Sequence, residues 1–336
     1  MPRAAGRRVL FVLCVIATGG LRGGGAEPLQ WEEILPVGTS PLARYDAAAV
    51  SFTTVHGAMY VFGGKDGAKV LDETWMFDSA SGGWEVVELL TPRIAGECGL
   101  DTSARSTPPG RAGHRMKSNG IVSLMCGGYV VDTQSNQPVI VDLEEALSPD
   151  PAVAGRDAID CWWFYPLPEP RWLPFKYHPD SAVAETPSSR VSFSLEWDSK
   201  MRHFILFGGI ANNSTPLNDC WYVKVGEDDV LATQARYLWR SCRPGPLSGL
   251  YKERVAVEPD PRFGHSATFF TGLGGEALFI HGGFASNGLS IVPQSDIWRL
   301  RHHSDPNRAR WTRVESVNSG PSARGFHAMW RAGFKA

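Results

Sequence analysis

The sequence predicts an all-β protein built from repeated four-stranded units, the architecture of a β-propeller. Three observations predict it: a motif that recurs at long intervals, short apolar stretches rich in strand-forming residues, and no sustained helical pattern of convincing length after the N-terminus. Tandem units of four antiparallel strands are typical of blades arranged radially around a channel. The best helical candidate, residues 139–147, is short.

Each unit contains an apolar run that ends in a twin glycine. Near the axis of a propeller the blades crowd together, so a residue without a Cβ lets backbone approach backbone or adopt a positive φ. We therefore expect these glycines to be structural. They are Gly63 and Gly64, Gly127 and Gly128, Gly208 and Gly209, and Gly282 and Gly283.

Tryptophans follow every twin glycine. The first of each unit stands two residues after an acidic residue and is expected to wedge between neighbouring blades, where aromatic area dominates burial. These acid and tryptophan pairs are Glu73 and Trp75, Asp160 and Trp162, Asp219 and Trp221, and Asp296 and Trp298. A second tryptophan follows later in each unit.

An arginine precedes each twin glycine, and a fifth stands near the C-terminus. These arginines are Arg44, Arg111, Arg190, Arg262 and Arg324. Three residues further on, three units carry His114, His265 and His327, whereas Ala47 and Phe193 occupy that position in the other two. Because the histidine recurs unit by unit, we assign it a structural role rather than metal ligation.

The combination of arginine-x-x-histidine, apolar strand, twin glycine, Asp-x-Trp and a later tryptophan resembles the kelch repeat. The resemblance extends from about Trp31 to the end of the chain, with Ala47, Phe193 and Glu73 as departures. It implies a kelch-type β-propeller with four complete four-stranded blades plus a split or incomplete further blade. A long insertion, Tyr129–Ala158, falls within the second unit.

The predicted propeller comprises residues 27–336. Its two ends are predicted to form parts of one further blade. Gln30–Ile34 looks like an outer strand and Gly325–Trp330 like an innermost strand, and kelch propellers, by resemblance, commonly close by sharing a blade in this way. The sequence has no twin-glycine strand for that blade. It therefore predicts a propeller truncated before ring closure, with a four- or five-bladed closure as the alternative.

Residues 1–26 are predicted to be a secretory signal peptide. Three arginines precede an apolar run, Val9–Thr18, and small residues follow it. Ten apolar residues are too few to span a bilayer, which needs about 20, and no later segment is long and apolar enough to do so. Cleavage after Ala26 is favoured over Gly19, an uncleaved signal anchor being the alternative. The predicted location is extracellular or luminal.

Cysteines and sequons fit a secreted glycoprotein. Five cysteines remain after Ala26, so one stays free or pairs outside this segment. Cys220 and Cys242, on adjacent predicted strands, are the candidate disulfide. Asn212 and Asn213 begin overlapping glycosylation sequons, and Pro216 makes Asn213 the poorer acceptor. A polar turn with a chance sequon is the alternative.

The motifs assemble no catalytic, cofactor or metal site. The sequence contains no HExxH, CxxC, phosphate-binding loop or GxSxG, and its net charge of −2 gives no reason to expect a nucleic-acid partner. The favoured function is a protein-interaction module that binds another protein or an extracellular anionic ligand through loops at the channel entrance.

The resemblance also suggests which residues would bind. In kelch domains that capture acidic peptides, arginines at the start of the inner strand face the binding end of the channel. This implicates all five arginines, Arg44 to Arg324, whose forked donors suit carboxylates. Alternatively, a neighbouring blade's carboxylate ties them in a structural role. A further alternative is an exported enzyme acting on a sugar, similar to bacterial sialic-acid mutarotases or copper radical oxidases.

Overall fold

Four antiparallel blades follow one another along the chain, as the sequence predicts. We describe them from a computed structural model, which has no helix among the residues it describes. Those residues are 38–89, 107–131, 137–141, 157–178, 180, 186–212, 214–226, 235–242, 258–272, 275–286, 290–301, 309–315 and 320–329.

The first two blades have four strands each. Blade 1 consists of β1 (Ala48–Ser51), β2 (Ala58–Phe62), β3 (Thr74–Asp78) and β4 (Gly83–Val86), paired in chain order. Blade 2 pairs β5 (Arg115–Ser118), β6 (Ser123–Cys126), β9 (Cys161–Tyr165) and β10 (Arg171–Pro174) in the same manner. Between β6 and β9, a separate hairpin is formed by β7 (Tyr129–Val131) and β8 (Pro138–Ile140).

Blades 3 and 4 repeat the plan with longer middle strands. Blade 3 contains β11 (Arg190–Val191), β12 (Ser194–Asp198), β13 (His203–Ala211), β14 (Pro216–Lys224) and β15 (Trp239–Ser241). Blade 4 contains β17 (Ser266–Gly272), β18 (Gly275–His281), β21 (Ile297–Arg301) and β22 (Arg310–Val314). A small sheet beside it contains β16 (Arg262–Phe263), β19 (Phe284–Ser286) and β20 (Ile291–Pro293).

Apolar cores lie between successive blades. Phe62 of blade 1 packs against Trp172 of blade 2 with ring centroids 4.9 Å apart, and the Trp172 indole N–H donates to Thr74 across the same boundary at 3.2 Å. Trp221 packs in the core shared by blades 2 and 3, and Trp298 in that shared by blades 3 and 4. The prediction that the first tryptophan of a unit wedges between blades is confirmed for Trp162, Trp221 and Trp298, whereas Trp75 packs within its own blade.

Several sequence predictions concern segments that the structure describes only in part or not at all. The helical prediction for residues 139–147 is wrong at Val139 and Ile140, which lie in β8 because apolar β-branched residues pair there with Tyr129 and Val130. Residues 142–147, the signal peptide and Gln30–Ile34 lie outside the described residues. No helix in the described part of the chain has the length and apolar character to cross a membrane.

The start of a fifth unit docks onto blade 4. Residues 325–329 form no regular strand, yet their backbone joins the fourth unit through Phe326 N–H to Gly264 O at 2.7 Å. Two residues before Phe326, Arg324 donates its N–H to Gln294 O at 3.0 Å, and its carbonyl oxygen accepts from Gly283 N–H at 2.8 Å. The segment predicted as the innermost strand of the further blade thus bonds to the fourth unit, but it is not a strand over residues 325–329.

The twin glycines allow the closest backbone approach between blades. The first glycine of each pair has φ between +63° and +65°. A Cβ on Gly63, Gly208 or Gly282 would lie 2.5–2.7 Å from the carbonyl oxygen of the arginine in the next unit. The following glycine donates its N–H to that oxygen, at 2.9 Å from Gly64 to Arg111.

Alanine at Gly208 is expected to destabilise the protein far more than alanine at Gly82. Gly82 has a similar φ, +69° against +63°, but a Cβ there meets nothing within 4 Å, whereas at Gly208 it meets Arg262 O at 2.7 Å. The backbone conformation alone costs about 1–2 kcal/mol, and a clash with backbone raises the loss above about 4 kcal/mol. Urea unfolding of both variants measures the difference, and equal losses would show that the close approach is unimportant.

Candidate functional site

The recurring polar residues form one cluster per blade, best seen in blade 4. The Arg262 guanidinium donates from Nη1 to Asp296 Oδ1 at 2.7 Å and from Nη2 to Asp296 Oδ2 at 2.9 Å. Nη1 also reaches Gly282 O at 3.0 Å, and Nε donates to Asp260 O at 3.1 Å. The Trp298 indole N–H donates to the same carboxylate at 2.6 Å. We call this arrangement the arginine clamp.

The other three blades contain the same clamp. Arg190 holds Asp219 through two bonds of 2.5 and 2.8 Å, Arg111 lies 2.6 Å from Asp160, and Arg44 lies 3.0 Å from Glu73. Each carboxylate also accepts from the tryptophan two residues later, at 2.7–3.0 Å. Glu73 therefore performs the role of the aspartates despite its extra methylene.

Hydrogen bonds and nearby positive charge keep the pKa of the clamp carboxylates in blades 3 and 4 low. Burial alone raises the pKa of Asp219, but the bonds from Arg190 and Trp221 outweigh it and hold that pKa below its usual range. The same balance of burial against Arg262 and Trp298 lowers the pKa of Asp296. A paired, hydrogen-bonded charge is the form in which ionised groups tolerate burial.

The clamp argues against the arginine ring predicted from the resemblance. Arg111, Arg190 and Arg262 are 0% exposed, so they present no surface on which an anion could be captured. The alternative interpretation fits, with one correction: the carboxylate belongs to the arginine's own blade, not to a neighbouring one. The side chain of Arg44 is likewise almost completely covered.

Arg324 differs from the other four. Its Nε donates to Ser322 O and its Nη2 to Ser322 Oγ, both at 3.0 Å, as Arg190 donates to Ser188 at 2.9 and 3.1 Å. Its side chain is exposed, and no carboxylate within the described residues pairs with it. Of the five predicted binding arginines, this is the one whose guanidinium can meet a ligand.

The recurring histidines pack against glycines. His114 lies over Gly63 and His265 over Gly208, each with its Cε1 3.1 Å from the place a Cβ would occupy. Burial lowers the pKa of His265 to about 3, with Arg262 and Arg115 adding to the effect, and burial lowers that of His114 as well. Buried neutral rings agree with the structural role predicted for them, and His265 Nε2 also lies 3.0 Å from Ser194 Oγ. The described residues contain no group of three or more potential ligands that could hold a metal ion.

Sequence reasoning missed a polar cluster at the boundary between blade 4 and the fifth unit. His327 Nε2 lies 2.7 Å from both His281 Nδ1 and Ser266 Oγ. His281 stands where blades 1 and 3 have Phe62 and Phe207, so an imidazole pair replaces their phenylalanine–histidine contacts. A systematic comparison of the residue before each twin glycine would have found it.

A second missed feature lies two residues after each arginine. All five positions, Asp46, Gly113, Ser192, Gly264 and Phe326, have φ between +54° and +69°. They bond from unit to unit, with Gly113 N–H to Asp46 O at 2.9 Å and Gly264 N–H to Ser192 O at 2.8 Å. A positive φ is unusual for non-glycine residues and above all for a bulky one such as Phe326. These residues mark one end of the inner strands, which we call the glycine end because every twin glycine lies there.

In the described part of the chain, the glycine end also carries additions that differ from blade to blade. The hairpin β7–β8 rises from blade 2, and β19–β20 from blade 4, each directly after a twin glycine. In blade 3 the corresponding chain turns at residues 212–215, where Asn212 is exposed; Asn213 lies outside the described residues. The insertion Tyr129–Ala158 thus begins as a hairpin at this end.

Aromatic side chains surround the glycine end. Phe263, Phe284 and Phe326 form a contact cluster, with centroids 5.6 Å apart for Phe263–Phe284 and 5.7 Å for Phe284–Phe326. Phe326 is 63% exposed and Tyr45 is 51% exposed. Tyr129 lies near Asp46, its hydroxyl 3.4 Å from the carboxylate, and burial together with Asp46 raises the pKa of Tyr129 to about 12. Large exposed aromatic groups gathered at one place mark interaction surfaces.

Two disulfides join adjacent strands. Cys220 and Cys242, the predicted pair, are linked between β14 and the residue after β15. A second bridge, Cys126–Cys161, links β6 to β9 and was not predicted. Its partners directly face each other in the sheet, but the long insertion between them hides that in the sequence.

Comparisons with known proteins agree with the repeat geometry. Residues 47–88 match the family model described as Kelch motif. An F-box/kelch-repeat protein of Arabidopsis thaliana is 28% identical over 123 residues, which is 37% of this chain but 22% of that protein. The solved structure of YjhT superposes with a TM-score of 0.55 and 16% identity, covering 90% of this chain and 78% of that one.

These findings define the class of the fold. The chain has an all-β, kelch-type β-propeller fold, whose blades are held by arginine clamps and twin glycines. The plant relative is matched over well under two thirds of its length, and the likeness to YjhT at 16% identity concerns the fold alone.

Breaking a clamp is expected to cost stability, whereas changing the exposed arginine is not. Arg262→Gln leaves Asp296 buried without its cation and should lower the free energy of unfolding by about 3–5 kcal/mol. Arg324→Gln, at an exposed position, should stay within about 0.5 kcal/mol. Urea unfolding at pH 7 compares the two, and similar values for both variants would contradict the structural role of the clamp.

Replacing His265 by Phe is expected to flatten the dependence of stability on pH. The folded pKa near 3 lies below the unfolded value of about 6.5, so the unfolded chain binds the extra proton between them. The stability that this neutral ring contributes is complete above about pH 6.5 and falls by up to about 1.4 kcal/mol per pH unit as the pH drops toward 3. Phe193 already occupies the equivalent place in blade 3. Unfolding curves from pH 4 to 8 test the difference, which should be absent if His265 titrates normally.

Proposed function

We propose that this chain is a binding module, without catalytic activity of its own, that holds another protein or an anionic ligand at its glycine end. The observation that carries the proposal is a contrast between two sets of residues, those that repeat in every blade and those that differ between blades. The repeated polar residues are buried inside the blades and paired with one another in the clamps. Among the described residues, the hairpins and exposed aromatic side chains that differ between blades lie at the glycine end.

The composition of that end suits a macromolecular partner. Exposed Tyr45 and Phe326 offer large aromatic area, and aromatic and arginine side chains supply most binding energy at protein interfaces. The hairpins of blades 2 and 4 stand on rigid sheets, a common arrangement for binding loops. The Kelch motif match is consistent with a protein-interaction role.

We further propose that binding takes place in the secretory pathway or outside the cell. The basic and apolar N-terminal sequence, the exposed Asn212 within a sequon and the two disulfides support this location. An exported enzyme acting on a sugar remains a prediction from sequence, and a shift in melting temperature on adding an acidic sugar would favour it.

Variants at the two ends of the blades test the binding surface. Tyr45→Ser and Phe326→Ser should each weaken partner binding about tenfold or more, since aromatic anchors contribute about 2 kcal/mol or more. Ile121→Ser and Leu167→Ser are matched controls, because these residues are similarly exposed, at 48% and 47%, in turns at the opposite end. The readout is the affinity for the partner recovered by crosslinking to the secreted protein.

Crosslink positions give an independent readout. A partner seated at the glycine end should crosslink to Lys65 and Lys69, which follow the first twin glycine, and not to Lys200 in the turn between β12 and β13. Crosslinks confined to Lys200, or loss of binding in the Ile121 and Leu167 variants alone, would place the partner elsewhere and contradict the proposal.

A further inference from the structure

We infer that the contact between blade 4 and residues 324–327 is a pH-sensitive joint, which opens in acid as His281 and His327 take up protons. The inference rests on the geometry of two facing imidazoles and on the groups that surround them. It concerns how the fifth unit is held against blade 4, and it does not depend on the proposed binding function.

The two imidazoles share one hydrogen bond and have no other place for a proton. His281 Nδ1 lies 2.7 Å from His327 Nε2, with the ring planes at 82°. A bond between two imidazole nitrogens needs a proton on one and a lone pair on the other. The outer nitrogens, His281 Nε2 and His327 Nδ1, are buried and have no hydrogen-bond partner among the described residues.

Added protons therefore work against the contact. The first must go to a buried outer nitrogen that has no acceptor, and the second to a facing nitrogen, where it breaks the shared bond. Ser266 Oγ, also 2.7 Å from His327 Nε2, can accept only that ring's proton. The doubly protonated pair would thus hold two positive charges face to face, with the His281 N–H unpaired.

The other joints between units lack this pair. The residue before the twin glycine is Phe62 in blade 1 and Phe207 in blade 3, and each packs edge-on against a histidine of the next unit, with centroids 5.5 and 5.3 Å apart. In the remaining joint, Phe193 takes the place of the histidine. Within the described ranges, only the joint to the fifth unit has two imidazoles in contact.

The charged neighbours also oppose protonation. Burial lowers the pKa of both rings, and Arg324 adds to the effect on each; His281 further lowers the pKa of His327. Arg262 acts on His281 in the same direction, whereas Asp296 acts in the opposite one. Because Asp296 is bonded to Arg262, its attraction for a second cation is largely offset.

The direction of the pH effect follows from these lowered pKa values. In the open joint each imidazole would titrate near its ordinary pKa of about 6.5, so below that pH the open form binds more protons than the closed form. The docking equilibrium is strongest above about pH 6.5 and weakens in acid by up to about tenfold per histidine and pH unit. His265, a further titratable neighbour, stays neutral until about pH 3 and does not contribute in this range.

Opening the joint would also move Phe326. Its N–H donates to Gly264 O at 2.7 Å, its ring lies 3.0 Å from the Cβ position of Gly264, and it packs against Phe284 with centroids 5.7 Å apart. Acid would therefore withdraw an exposed aromatic group from the glycine end. Weaker partner binding in acid would follow, and this consequence alone rests on the proposed function.

Amide hydrogen exchange of the full chain, resolved to single residues, measures the opening without any partner. The amides of Arg324 and Phe326 report on the joint, because they donate to Gln294 O and Gly264 O. Their protection factors, corrected for the pH dependence of exchange itself, should fall about tenfold or more between pH 7.5 and 5.5. The Gly113 amide, which donates to Asp46 O between the first two units, should keep its protection.

Phenylalanine variants identify the groups responsible. His281→Phe copies blades 1 and 3 and should show a smaller fall, since one titrating ring remains. The double variant His281→Phe with His327→Phe should show none. His56→Phe, at an exposed histidine between β1 and β2, is the matched control and should behave like the unchanged chain.

Three results would overturn the inference. They are constant protection of Arg324 and Phe326 in the unchanged chain, a parallel loss at Gly113, which indicates unfolding of the whole, and an undiminished fall in both phenylalanine variants. Protection of Gly113 at pH 7.5 shows that each variant is folded. Since no partner takes part, the joint and the proposed binding surface stand or fall separately.

Discussion

The close contact between a twin glycine and the next arginine is the constraint on which the rest of the structure depends. The arginine's carbonyl oxygen accepts from the second glycine of the preceding unit, as in Gly64 to Arg111, and leaves no room for a Cβ on the first. The same arginine reaches into its own blade with its guanidinium. One residue therefore sets the spacing between blades and the order within a blade, which explains why glycine and arginine recur together.

Because of this constraint, the residues that repeat in every blade have a structural role, and the residues particular to one blade remain for other roles. The arginine, acid, tryptophan and glycines of a blade are occupied in contacts that hold the propeller together, so they are not available to bind ligands. What distinguishes one blade from another lies in the turns after the glycines and in the few positions that break the repeat. His281, the exposed Phe326 and Arg324 are all such positions, and all lie at the boundary of the fifth unit. Arg115 also breaks the pattern, since it stands where blades 3 and 4 have serine and bonds to Phe193 O of the next blade at 2.9 Å.

The sequence predicted those parts of the fold that depend on residue type at fixed spacing. Twin glycines and wedge tryptophans follow from sterics that leave few other choices at those positions, and the recurrence of the histidine indicated a structural role. It did not predict the positive φ shared by Asp46, Ser192 and Phe326, because no common side chain marks that position. It misassigned Arg44, Arg111, Arg190 and Arg262 because spacing along the chain does not reveal burial, although the constant pairing of an arginine with an acid in each unit was the available signal. The Cys126–Cys161 bridge was hidden by the insertion that separates its strands.

The energetics of buried ion pairs explain why each clamp keeps both of its partners. A buried arginine–carboxylate pair contributes little net stability compared with apolar residues, yet removing one partner costs about 3–5 kcal/mol. A strand that covered Arg262 without an acidic residue would remove water from the guanidinium and leave its charge uncompensated. Asp296 instead replaces that water by two charge-assisted hydrogen bonds. The pairing of strands within a blade is therefore specified mainly by the penalty against an unpaired charge, which is how a weak net interaction can still select one arrangement.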